Sequence, residues 1–102
     1  MTVITLSRNG FSVKGHCTAN GDDELGRLVC ASVSSAAYMA VNTITDVVGD
    51  NADISLDEKN GNMVVDLKSV SNGSKIILEG FKLHMQGLVE QYPNCIKVIS
   101  EV

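Results

Sequence analysis

The chain has 102 residues, 44% of them hydrophobic, with one proline and no tryptophan; this bounds it to one compact domain and excludes the polar, charge-rich composition of disorder. Its eight basic residues are scattered and outnumbered by twelve acidic ones, and a net charge of −4 excludes direct nucleic-acid binding, which needs clustered Lys and Arg. The first residues lack the charged head and apolar run of a signal peptide and no apolar stretch reads as a membrane span, so a cytoplasmic location is expected, where three irregularly spaced cysteines stay reduced.

Thr2 to Leu6 and Phe11 to Cys17 alternate apolar with polar residues, and Asn9-Gly10 between them supplies the positive φ angles of a tight turn; together they predict a β-hairpin. Alternation sends Phe11, Val13 and Gly15 to one face and Ser12, Lys14 and His16 to the other, so His16 is expected to leave on the polar face. Thr18 to Gly26 reads as a loop, a flap above the residues after it, with Asp22 or Asp23 capping the next helix. Gly26 weakens that first turn and moves the expected helix start towards Arg27. From Leu28 to Val48, Val29, Val33, Ala36, Ala40, Ile44 and Val47 recur at three- and four-residue steps, predicting a central helix that buries one stripe and stops at Gly49.

Asp53 to Asp57 and Asn62 to Leu67 predict a second hairpin across Asn60-Gly61, with Ile54, Leu56, Val65 and Leu67 buried. A second helix runs from about Ser74 to Gln91, stops before Pro93, and carries Ile77, Phe81, Met85, Leu88 and Tyr92 on one stripe. Cys95 to Ser100 comes last as a short strand. The order ββαββαβ specifies an α+β fold, a mixed sheet of about five strands with two helices packed on one face. The helix-free face needs cover, from which a homodimer is expected.

A thiol becomes a useful nucleophile when an imidazole, a cation or a helix start lowers its pKa. Cys30 follows the Gly26-Arg27 helix start, Arg27 precedes it on roughly the same helical face, and His16 closes the strand that feeds the helix. The intervening loop is long enough to bring strand end and helix start together. There a histidine can take the thiol proton and return it to a leaving amine. Spacing alone, however, favours Cys30 as a small buried hydrophobe. Ser34 shares its face, and either bonds near the site or bonds its own helix backbone. Cys17 reads as a packing residue, His84 as a surface or interface histidine, and Asp22, Asp23 and Glu24 as a solvated acidic cap. With no CxxC pair and no second ligand cluster, neither a metal nor a cofactor is expected.

Gly15-His16-Cys17, then Gly21, then Leu28-Val29-Cys30-Ala31-Ser32-Val33-Ser34 resemble the signature of the ribosomal-processing cysteine protease family: Gly-His-Ala, a glycine-bearing loop, and Ile/Val-Val-Cys-Ala-Ala-Val-Ser. Length, leading hairpin and element order are similar to the family over essentially the whole chain. The resemblance implies a Cys/His dyad peptidase in which Cys30 is the nucleophile and His16 the base. It also implies a homodimer with a mobile loop between the two residues, and a substrate that is the N-terminal extension of a basic large-subunit ribosomal protein. Gly15, Gly21, Arg27 and Ser34 are expected as supporting or substrate-binding positions. An acidic enzyme meeting a basic ribosomal protein agrees with the charge balance.

Three departures from the family pattern stand out: Cys17 and Ser32 replace alanines, and Arg27 stands where an acidic residue is frequent. The first two are small-for-small, whereas the third alters the helix cap and the local charge. Two readings from other classes stay open. One is a non-enzymatic ribosome-associated binding module with Cys30 merely buried; the other is a thiol redox sensor, which requires Cys17 to reach Cys30.

Overall fold

The computed structural model describes residues 1–16 and 24–101. Its elements are β1 (Thr2–Ser7), β2 (Gly10–Lys14), α1 (Glu24–Asn42) continued by a π-helical segment (Thr43–Val48), β3 (Ala52–Asp57), β4 (Asn62–Leu67), α2 (Asn72–Gln91) and β5 (Ile96–Ser100). The five strands form one mixed sheet in the order β3-β4-β2-β1-β5, antiparallel throughout except where β5 runs parallel to β1. This is the expected ββαββαβ order.

Alternation decides what the sheet buries. Ile4 and Leu6 on β1 pair with Val13 and Phe11 on β2, which in turn pair with Met63 and Val65 on β4. All six are buried in one hydrophobic cluster with Val29, Val33 and Ile44 of the helical stretch. Phe11 meets Phe81 of α2 with ring centroids 4.3 Å apart, a tilted aromatic pair in the cluster. The first turn sits on Arg8-Asn9 rather than Asn9-Gly10, and Asn9 does not adopt a positive φ.

The central helix begins at Glu24, before the start expected near Arg27, and Gly26 is buried in its first turn. Val29, Val33, Ala40 and Ile44 are buried as the period requires, but Val47 is 78% exposed. The wider π-helical turns shift the register past Asn42 and rotate Val47 outward. Gly49, at φ 89°, ends the segment, its N–H bonded to the Ile44 carbonyl at 3.0 Å. Against expectation, Glu24–Val48 is long and apolar enough to cross a membrane by length and composition; in this fold it is the core helix that lays its apolar stripe on the sheet.

Ser71 caps α2, accepting the Ser74 N–H at 3.4 Å. Asp50 ties the cap to the end of the π-helical segment by accepting the Ser74 hydroxyl at 2.5 Å, the Ser71 N–H at 3.0 Å and the Ser71 hydroxyl at 2.8 Å. These donors, Ser74 foremost, hold the Asp50 carboxyl below its ordinary pKa.

One expectation of burial fails. Ile54 and Leu56 on β3 pair with buried Val65 and Met63 and so face the helix side, yet they are 43% and 50% exposed. The strand lies at the sheet edge, beyond the reach of the helices. The exposed large apolar residues of α1 and α2, including Leu28, Met39, Ile76 and Leu83, lie on the solvent side of the helices.

Candidate active site

The strand carrying the histidine stops at Lys14. Gly15 adopts φ +88°, and a Cβ there would stand 2.8 Å from the Met1 carbonyl oxygen, so glycine meets both the left-handed backbone and the close approach. This single residue breaks the alternation that would have put His16 on the polar face. His16 instead shares a cavity of about 300 Å³ with Cys30, Val13 and Met63, the last two belonging to the helix-covered side of the sheet.

The β3–β4 loop shapes the seat of the imidazole. His16 Nε2 lies 3.3 Å from the Lys59 carbonyl oxygen. Gly61, at φ +68°, presses so closely that a Cβ would fall 2.6 Å from Cε1 and 2.8 Å from Nδ1 of the ring. Asn62 Oδ1 accepts the Gly15 N–H at 3.1 Å, and Asp57 fixes the loop by accepting from Asn60 Nδ2 at 2.7 Å. The expected tight Asn60-Gly61 turn is thus a longer loop in which Gly61 alone, among these residues, takes a positive φ. Its length brings a carbonyl to the ring.

Cys30 is half-buried in the second turn of α1, with Sγ 3.8 Å from the Thr2 hydroxyl oxygen. Because α1 starts at Glu24, the N–H groups of its first turn precede Cys30. The expectation that they act directly on its sulfur is therefore corrected, since the dipole effect fades beyond one turn. Arg27 is exposed on α1 and does not line the cavity, whereas Ser34, one turn after Cys30, does. Ser32 donates back to the Leu28 carbonyl at 2.9 Å, so this departure from the alanine pattern is absorbed within the helix. Cys17, Gly21 and the Asp22 or Asp23 cap lie outside the described residues.

Several contributors have no signature in the sequence: Thr2, the Lys59–Asn62 turn, and the cavity walls Tyr38, Leu56 and Glu58. Asn60-Gly61 signalled a turn, but nothing local tells a turn to fold onto a histidine. The product is a thiol and an imidazole facing one solvent-open cavity, with an apolar wall of Ala37, Leu56 and Met63 and an acidic group, Glu58, at its side. Such a site suits acyl transfer on a peptide laid along the wall.

The fold is that of known proteases. The essential ribosomal processing protease Prp from S. aureus, solved with a covalently linked product peptide, is 20% identical with a TM-score of 0.83, the alignment covering 99% of this chain and 100% of that one. The same protease with a substrate peptide gives 0.84 at 20% identity and the same coverage of 99% and 100%. SMU.848 from Streptococcus mutans aligns at 0.80 and 20% identity over 97% of this chain and 90% of its own. No curated protein sequence matches the chain significantly. The sequence profile of the cysteine protease Prp family matches residues 1–97, and the chain belongs to that family and is a cysteine protease.

Proposed function

We propose that the protease works with a Cys30/His16 dyad on the N-terminal segment of a basic large-subunit ribosomal protein, contributing to ribosome maturation. The observation that carries this reading is the meeting of His16 and Cys30 in one cavity, against the direction strand alternation dictates. With Nε2–H donated to the Lys59 carbonyl, Nδ1 is left as the basic nitrogen of the ring. His16 takes the thiol proton, Cys30 Sγ attacks the scissile carbonyl, and His16 returns the proton to the leaving amine. Water, deprotonated by the same histidine, then releases the acyl group from sulfur.

The substrate class is supported by the structural likeness to a protease described as ribosomal-processing, and by the acidic balance of the chain with Glu58 on the cavity wall. The same reading takes the protein as a single-domain cytoplasmic homodimer. Exposed apolar residues of α1 and α2, Met39, Ile76 and Leu83 among them, offer surface for a second copy.

The test is to incubate the protein with an N-terminally extended ribosomal substrate beside Cys30→Ala and His16→Ala variants. Cleavage by the wild type and its loss in both variants support the dyad; undiminished cleavage by either removes it.

A further inference from the structure

We propose that the Thr2 hydroxyl holds the thiolate of this site, donating its one proton to the Gly15 carbonyl while Cys30 is a thiol and to Sγ once Cys30 has ionised. The inference rests on Cys30 being the nucleophile. Thr2 stands on the face of β1 that it shares with buried Ile4 and Leu6, and is itself only 2% exposed. Valine would fill that place with the same β-branched shape and no polar atom, so a hydroxyl there calls for a partner.

Two partners are in reach. Oγ1 lies 3.3 Å from the Gly15 carbonyl oxygen and 3.8 Å from Cys30 Sγ, the latter a hydrogen-bonding distance for sulfur. A threonine hydroxyl has one hydrogen and can also accept. While the thiol is intact, S–H donates to Oγ1 and O–H to Gly15. When the proton leaves sulfur, a turn about the C–O bond redirects O–H to the thiolate, and no covalent bond changes. A donor to the charged form favours that form, so this contact lowers the thiol pKa. Ser74, the other buried polar side chain among the described residues, is occupied by Asp50 far along the chain.

The hydroxyl also joins the two halves of the site, since Gly15 immediately precedes His16. Among the described residues, the titratable groups that share the cavity with Cys30 are His16, Tyr38 and Glu58, and Glu24 and Arg27 lie on the same helix. Substitution at Thr2 alters none of them, so a comparison of Thr2 variants isolates the hydroxyl.

The experiment measures the rate of iodoacetamide alkylation at Cys30, located by peptide mass spectrometry, as a function of pH in wild type, Thr2→Val, Thr2→Ala and Thr2→Ser. Loss of the hydroxyl is expected to raise the midpoint by about one pH unit and to lower peptide cleavage below that midpoint roughly tenfold, with Thr2→Ser close to wild type. An unchanged midpoint in whichever of Thr2→Val and Thr2→Ala folds, judged by circular dichroism, overturns the proposal. So does a Thr2→Ser midpoint as high as that of the hydroxyl-free variants. The alkylation midpoint is read whether or not a peptide is cut. Persistent cleavage by Cys30→Ala would strike the dyad instead and leave the hydroxyl's effect on the thiol separately decided.

Discussion

The two hairpins share antiparallel pairing and an alternating pattern, but one is sealed and the other half bare. Along β1 and β2 the core-facing Ile4, Leu6, Phe11 and Val13 are all at most 7% exposed, whereas Ile54 and Leu56 on β3 are 43% and 50% exposed on that same face. Alternation tells which side a residue takes; only the placement of the helices decides whether anything lies over it. The sheet outreaches its helices at β3, and the cavity shared by His16 and Cys30 opens at this step, with Leu56 as one wall. The sealed hairpin supplies core, and the bare one leaves apolar surface open to solvent beside His16 and Cys30.

This contrast has measurable consequences. Phe11→Ala removes a buried ring stacked on Phe81 and should cost about 3–5 kcal/mol in urea unfolding. Leu56→Ala should cost less than about 1 kcal/mol, because the side chain is half in water already. A loss at Leu56 as large as that at Phe11 would break the distinction. Kinetics should reverse the ranking for Leu56. Leu56→Asp should raise KM for a peptide substrate roughly fivefold with kcat little changed, half the burial of a leucine corresponding to about 1 kcal/mol of binding.

Two glycines sharpen the comparison further. Gly61 and Gly49 both have positive φ, so alanine at either carries a similar backbone cost, but a Cβ at Gly61 meets the His16 ring while one at Gly49 meets nothing within 4 Å. Gly61→Ala should therefore reduce kcat about tenfold or more at a stability close to that of Gly49→Ala, whose kcat should stay at wild type. Equal kcat in the two variants would show that the loop does not hold the imidazole.

The smallest effect belongs to Asp50. Its folded pKa lies below the ordinary 3.8, so its stabilisation is present above that value and is lost as pH falls through the folded pKa. Asp50→Asn should lower the melting temperature at neutral pH and narrow its gap to wild type in acid, as followed by thermal unfolding between pH 7 and pH 2. A gap independent of pH would assign the effect to packing alone.

Much of this architecture was legible from local pattern. The element order, the sheet with helices on one face, the core stripes around Val33 and Phe81, and the stop at Gly49 follow from periodicity and turn chemistry. The motif singled out His16 and Cys30, and helical spacing Ser34, three residues that line one cavity. Alternation misled for His16, because it assumes a continuous strand, and Gly15 interrupts that strand just before the residue that matters. Helical periodicity misled for Val47 in the same way, since it assumes α geometry where the chain is π-helical. Thr2 and the Lys59–Asn62 loop were illegible because their roles depend on contacts between segments distant in sequence, which no local pattern records.

The parallel pairing of β1 with β5 also governs when the site can exist. It joins the first strand of the chain to the last, and such distant pairing must meet its loop-closure entropy before any contact rewards it. Thr2, paired with Ile96, is therefore without its neighbour while the chain is still being made. His16 and Cys30 are synthesised early, and β1 can pair with β2 at once, but its other edge, where Thr2 lies opposite Ile96, is filled only after β5 has been added. The sheet edge beside Thr2 and Cys30 is thus completed by the strand that lies farthest from them in sequence.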